Sequence, residues 1–186
     1  SVLSGLLIPV FRMPKPTGPH KVGKRTLMWT DRSRKSWLLN TKGRGAFPEH
    51  RKLMANIWYP ACERGLKEVK KPRKANWLEP LLAKSLAVSF WAPEWCVNYF
   101  RLVRMEALED VPVAGGRGEQ FPVVVFSHSF TGMKEQNSAL LQELASWGYI
   151  IVTVDHPHDA ALVLYPDGST ADFRGYDMPN DTVPFN

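Results

Sequence analysis

With 186 residues, 44% apolar and 23% charged, the chain has the composition of one globular domain, and its two cysteines, Cys62 and Cys96, have no metal-ligand spacing and are too few for a disulfide scaffold. No apolar run reaches the roughly 18 residues that crossing a membrane needs. The net charge of +6 is uneven, because residues 12–74 hold 18 of the 24 Lys and Arg but only 4 of the 18 Asp and Glu. These basic side chains stand singly among Pro, Gly and Trp, the pattern of a solvated basic face, so no nucleic-acid partner is expected.

Residues 1–11 (SVLSGLLIPVF) are apolar but short, compatible with the tail of a targeting segment or anchor. Location stays open, with a cytoplasmic or peripheral-membrane place favoured over secretion. Residues 12–20 are Pro-rich and extended. Residues 22–30 and 52–59 read as two strands; in the second, Leu53, Ala55, Ile57 and Tyr59 alternate with Met54, Asn56 and Trp58. Residues 31–51 between them are basic, with Gly43 and Gly45 marking a loop. An antiparallel opening pair is expected, ended by Pro60, which cannot donate to a ladder. Residues 61–74 read as a charged surface loop. Residues 77–88 read as a helix, with Leu78, Leu81, Leu82 and Leu86 on one face.

Pro93 suits the first turn of a second helix over residues 94–104. It carries Trp95, Val97, Tyr99 and Phe100 beside Arg101 and Arg104. Core packing and an interfacial helix dipping into lipid are both readings of that pattern. A Gly-rich loop, residues 106–120, follows.

The chain is organised around residues 121–156. Residues 122–126 (PVVVF) have the apolar β-branched pattern of a strand buried on both faces. Residues 127–132 (SHSFTG) break it. Residues 134–147 then read as a helix, with Ala139, Leu140, Leu144 and Trp147 on one face and Glu135, Gln142 and Glu143 away from it. Gly148 suits the left-handed residue that stops it. Residues 149–154 (YIIVTV) are a second buried strand. Strand, helix and strand make a βαβ unit with parallel strands. Ligands of such sheets bind beyond the strands' carboxyl ends, which singles out loops 127–132 and 155–159. One βαβ unit is little sheet for an α/β fold, so a larger domain with further strands is expected, and the sheet present should expose an apolar edge.

In loop 127–132, Ser129 follows a strand and precedes a helix, the context of a G-x-S-x-G nucleophile elbow, but Ser127 and Thr131 stand where the glycines belong. The same residues fit the earlier loop of α/β-hydrolases, where a backbone N–H serves the oxyanion hole. An ordinary βα loop is the third reading. Near the second loop, His156, His158, Asp155 and Asp159 lie together, but Pro157 separates the imidazoles and no further ligand has suitable spacing; no metal or other cofactor is expected.

The ordered blocks are more specific. FPVVVFSHSFTG, LASWGYIIVTV and DHPHD resemble the pattern Y/F-P-L/V-V-V-F-S-H-G-L-G, then L-A-S-H-G-F/Y, then a strand and E-H-R-D, of the plasma and intracellular type II platelet-activating factor acetylhydrolase family. GPHKVGKRTLMW and IWYPA resemble that family's opening G-P-Y-x-V-G-x-x-D-L-M and Y-Y-P-S. The resemblance implies an α/β-hydrolase fold: residues 1–186 would be one domain, incomplete at its C-terminal side, with antiparallel opening strands and then a βαβ unit with parallel central strands. It implies a calcium-independent serine esterase acting on the short sn-2 acyl ester of ether or oxidised phospholipids, at a membrane or lipoprotein surface. A general esterase on small esters and an inactive lipid-binding fragment are the alternatives.

By the same resemblance Phe130 supplies the oxyanion N–H, and His128, Ser129 and His156 line the active-site loops. Trp95, Val97, Tyr99 and Phe100 form the lipid interface. The catalytic triad is expected beyond Asn186, with Ser129 the lesser candidate for nucleophile and Asp155 disfavoured as the acid. Ser129 replaces the family's glycine. Oligomeric state is not readable from the sequence.

Overall fold

The structure, a computed structural model, describes residues 10–40, 43–79, 81–83, 87, 93, 99–116 and 120–174. Its centre is a long antiparallel hairpin, β1 (Val22–Asn40) and β2 (Gly43–Pro60). Around it stand β3 (Lys74–Asn76), β4 (Arg104–Glu109), β5 (Val123–Ser127) and β6 (Ile150–Asp155). The six strands form one mixed sheet in the order β3-β4-β1-β2-β6-β5. β5 and β6 are parallel, with Val125 opposite Val152, and β6 joins β2 antiparallel, with Met54 opposite Asp155. A separate small hairpin, β7 (Leu162–Leu164) with β8 (Thr170–Asp172), follows.

The antiparallel opening and the parallel βαβ pair agree with the sequence reading. Several elements differ. The ladder of the opening hairpin continues out to Asn40 opposite Gly43, so most of residues 31–51 is strand and not loop. Ladder bonds are made by backbone and form without an alternating side-chain pattern once the register is set. Irregularities between Asp31 and Lys35 and between Lys35 and Trp37 mark where the register shifts. In the expected loop 61–74, Cys62 caps a short helix, α1 (Glu63–Glu68), its Sγ accepting the Gly65 N–H at 3.4 Å. Arg104 opens a strand and does not close a helix. Met105 and Ala107 of β4 are buried, and Leu108 pairs with Gly23 of β1.

Of the expected helix 77–88, residues 81–83 and 87 are helical, whereas residues 77–79 are not. Leu78 and Leu82 are buried but Leu81 is exposed; Leu86 lies outside the described residues. Trp95 and Val97 also lie outside them. Tyr99 and Phe100 sit in a 3-10 turn (Tyr99–Leu102). Tyr99 is buried, and Phe100 stacks edge-on against Trp77 with centroids 5.5 Å apart. Tyr99 belongs to the interior, Phe100 is half-buried against the core, and Leu102 is the exposed apolar side chain of that turn.

Helix α2 (Ser138–Ser146) covers the sheet. It buries Leu141 and Ala145 against Trp58, Met105 and Ile151; of the expected face Ala139 and Leu144 pack partly buried against the same core, while Leu140 and Trp147 are exposed. Gln142 is the reason. Its Oε1 accepts the Glu106 N–H at 3.2 Å and its Nε2 donates to the Pro14 carbonyl at 3.1 Å, so a fully satisfied polar side chain occupies the interior. Gly148, at φ +93°, ends the helix as expected. Strand β5 is the last in the sheet. Val123 and Val125 are therefore 62% and 71% exposed, against the expectation of burial on both faces.

The opening GPHKVG has a packing reason. Gly18 donates its N–H to Ser146 Oγ at 3.0 Å, and the His20 N–H reaches the Ser146 carbonyl at 3.0 Å. A Cβ on Gly18 would lie 2.3 Å from that carbonyl oxygen, and one on Gly23 would lie 2.2 Å from the Tyr59 ring. The approach fastens the N-terminal segment across the end of α2.

Below the loops at the ends of β5 and β6 lies a buried charge cluster. Asp155 accepts the Lys134 N–H at 2.6 Å on one oxygen and the Lys134 Nζ at 3.0 Å on the other. The same Nζ lies 3.0 Å from Glu135 Oε1, which also accepts from Asn56 Nδ2 at 3.3 Å. All four residues are buried, where the sequence reading had placed Glu135 outside. Burial alone would lower the Lys134 ammonium, but the two carboxylates outweigh it and hold it above the ordinary lysine range. Burial raises Asp155. It also presses Glu135 upward, but Lys134 and Lys24 together hold Glu135 below its ordinary value.

Two variants test this packing by urea unfolding. Gly18→Ala should cost about 1–3 kcal/mol, the range for overpacking a close contact; unchanged stability would mean that the N-terminal segment is not fastened to α2. Lys134→Met should cost about 3–5 kcal/mol, because it strands two buried carboxylates. A loss under about 1 kcal/mol, the worth of an exposed pair, would refute a buried cluster.

Candidate active-site loops

Parallel pairing of β5 with β6 brings their carboxyl ends side by side, and with them residues 127–132 and 155–159. The contact is a chain of hydrogen bonds. Ser127 Oγ lies 2.8 Å from His156 Nε2. The His156 N–H donates to His128 Nε2 at 3.1 Å, and the two imidazoles are 4.9 Å apart. His128 Nδ1 lies 2.8 Å from the Ser129 carbonyl oxygen. A carbonyl only accepts, so Nδ1 carries the proton and Nε2 keeps its lone pair for His156. The Thr131 N–H reaches the Asp159 carbonyl at 3.2 Å. Burial, and then the neighbouring His128, lower the His156 imidazole, favouring its neutral form.

Within residues 129–132 three of the four amides are used. Ser129 N–H donates to Gln136 Oε1 at 3.0 Å, Thr131 N–H to Asp159, and Gly132 N–H to the Ser129 carbonyl at 2.7 Å. Among the described residues the Phe130 N–H has no acceptor. Ser129 Oγ exchanges hydrogen bonds with the Gln136 amide at 3.0 and 3.2 Å; its partner is an amide and not an imidazole. Both Asp155 oxygens are taken by Lys134. Among the described residues no group of three or more His, Cys, Asp or Glu could hold a metal ion.

Phe130 is exposed and stacks edge-on with Phe173, centroids 5.0 Å apart. It borders a cleft of about 520 Å³ whose walls include Phe11, Met13, Trp77 and Met133. The sequence reading found His128, Ser129, Phe130 and His156, and the fold gathers all four. It missed Ser127 and Gln136. Ser127 had a signal, a hydroxyl at the carboxyl end of a strand. Gln136 had none, since its role depends on a loop folding back by seven residues.

Thr131 sits at φ +59°, in the left-handed region where a β-branched residue is strained. It aligns with the second glycine of F-S-H-G-L-G. Thr131→Gly should therefore raise stability by up to about 1 kcal/mol, since relief of strain outweighs the added chain entropy. Thermal denaturation with an unchanged or lowered midpoint would contradict that strain.

The pattern describing the family "Platelet-activating factor acetylhydrolase, isoform II" matches residues 8–172. A "probable 1-alkyl-2-acetylglycerophosphocholine esterase" from Arthroderma benhamiae is 27% identical over 85% of this chain and 40% of its own length. A "platelet-activating factor acetylhydrolase" from Cavia porcellus is 25% identical over 88% of this chain and 34% of its own. The chain thus spans about 40% or less of these curated relatives. Among solved structures, a ferulic acid esterase from Streptomyces cinnamoneus superposes with a TM-score of 0.67 at 24% identity, over 92% of this chain and 44% of that one. That likeness is one of fold. With the family pattern covering nearly all of it, the chain belongs to the platelet-activating factor acetylhydrolase family, isoform II.

Proposed function

We propose that this chain carries the oxyanion side of a serine esterase that hydrolyses the short sn-2 acyl ester of a glycerophosphocholine. The observation that carries the reading is the Phe130 N–H, the one amide of residues 129–132 without an acceptor among the described residues, at the end of a parallel strand. A serine elsewhere in the full-length protein attacks the acyl carbonyl, and its proton passes to a histidine held by a carboxylate. Charge then develops on the carbonyl oxygen, where a preorganised N–H is worth roughly 2.7–4 kcal/mol. The carbon–oxygen ester bond breaks, the lyso-phospholipid leaves with the proton, and water releases the acyl group. No step calls for calcium. The apolar cleft beside Phe130 suits an acyl or alkyl chain, and such a substrate brings the protein to a membrane or lipoprotein surface, where Leu102 stands exposed.

The test uses the full-length protein and this chain side by side. The full-length protein should release acetate from 1-alkyl-2-acetylglycerophosphocholine at a rate unaffected by chelator, and react with a fluorophosphonate probe. The chain alone should remain unlabelled. Labelling of the chain at Ser129, lost in Ser129→Ala, would reverse the assignment and make that hydroxyl the nucleophile. In the full-length protein Phe130→Pro, which removes the N–H, should lower kcat by about 100–1000-fold with KM little changed.

A further inference from the structure

We infer that His128 is the positioning residue of this site: its imidazole, held as the Nδ1–H tautomer, aims the Phe130 N–H and locks the two loops together. The inference rests on the reading of Phe130 as the oxyanion donor. A trans peptide is planar, with its carbonyl and its N–H pointing to opposite sides. The carbonyl of Ser129 and the N–H of Phe130 belong to one such plane. That carbonyl is held from one side by two donors, His128 Nδ1 at 2.8 Å and Gly132 N at 2.7 Å. Fixing the carbonyl fixes the direction of the Phe130 N–H, which has no acceptor of its own among the described residues to steady it. Whatever reaction the loop serves, this peptide is oriented in advance of any ligand.

The second nitrogen of the ring does different work. His128 Nε2 accepts the backbone N–H of His156, on the neighbouring loop, at 3.1 Å. One side chain therefore spans the donor peptide and the second loop, and it is itself buried, 7% exposed, with little freedom to turn. The arrangement works with one tautomer alone. A proton moved to Nε2 would face the His156 N–H and leave the Ser129 carbonyl without its side-chain donor. Ser127 Oγ against His156 Nε2 closes the far end of the same chain of bonds. The side chain at position 129 takes no part in aiming the peptide, so serine is accepted where the family has glycine.

Two experiments decide it. Nitrogen-15 labelling of histidine in this chain reports the tautomer directly; the His128 signals are identified by their loss in His128→Asn. A single Nδ1–H form with a bare Nε2 at neutral pH is the expected result, and an Nε2–H form or a rapid mixture of tautomers overturns the inference. In the full-length protein His128→Leu should lower kcat by about 100-fold, comparable with removal of a single oxyanion donor, with KM little changed. His128→Asn places an amide N–H near the position of Nδ1 and should recover most of that loss. Asn no better than Leu, or a loss that tracks the melting temperature of each variant, would reduce His128 to a packing residue and overturn the inference. Phe130→Pro separates the two readings. If it leaves kcat unchanged, the donor assignment fails and the positioning role with it. If it lowers kcat while both His128 variants do not, the positioning role alone fails.

Discussion

A carboxylate with no exposed surface has to be neutralised where it stands, and Asp155 meets that constraint through Lys134 alone. The aspartate ends β6; the lysine lies in the turn that follows the first loop. Because one residue supplies both its backbone N–H and its ammonium, the position of residues 133–135 is fixed in space as well as in charge. This explains why α2 begins at Ser138, after a left-handed Asn137, and not at Lys134. A helix started at Lys134 would put that backbone N–H on its own axis, away from Asp155. Bringing two charges out of water costs several kcal/mol each, and the geometry found here, two bonds to one carboxylate with a second carboxylate on the same ammonium, is the kind that offsets it.

With its base fixed, the first loop has few ways to satisfy its amides. Three of the four N–H groups from Ser129 to Gly132 find carbonyl or amide oxygens within the fold, and the fourth, that of Phe130, has no acceptor among the described residues. Most backbone N–H groups in proteins are paired, so an amide without an acceptor between two that are used is singled out. Thr131, kept at positive φ, shows the cost of the same conformation. Serine at position 129 is accommodated because its side chain bonds Gln136 and not the carbonyl that sets the peptide plane.

Much of this fold is legible in the sequence, for identifiable reasons. PVVVF and YIIVTV announce strands by their β-branched runs, the helical period between them announces the crossover, and parallel strands dictate that the loops at 127–132 and 155–159 meet. What was not legible depends on partners far away in the chain. Lys134 and Glu135 look like the exposed start of a helix until Asp155 and Asn56 are beside them. Gln142 turns α2 only because Glu106 and Pro14 receive it. Arg104 reads as the end of a helix and residues 106–109 as the start of a loop until Gly23 and Lys24 offer a strand edge. The valines of β5 read as doubly buried, because composition reports a strand's preference and not its place in the sheet.

The pairing of β2 with β6 also decides the order in which this structure can form. β5, α2 and β6 make a local unit of some thirty residues, and the β1–β2 hairpin makes another. The two are joined where β2 pairs with β6, from Met54 opposite Asp155 to Trp58 opposite Ile151, about a hundred positions apart, and closing so long a loop precedes every contact that rewards it. Asn56, which reaches Glu135, comes from the hairpin side of that junction. The charge cluster is therefore completed only when the two units dock. The bonds that hold the peptide at Phe130, from His128, Gly132 and His156, all lie inside the β5–α2–β6 unit, so docking of the hairpin adds Asn56 to the cluster beneath them without setting the direction of the peptide.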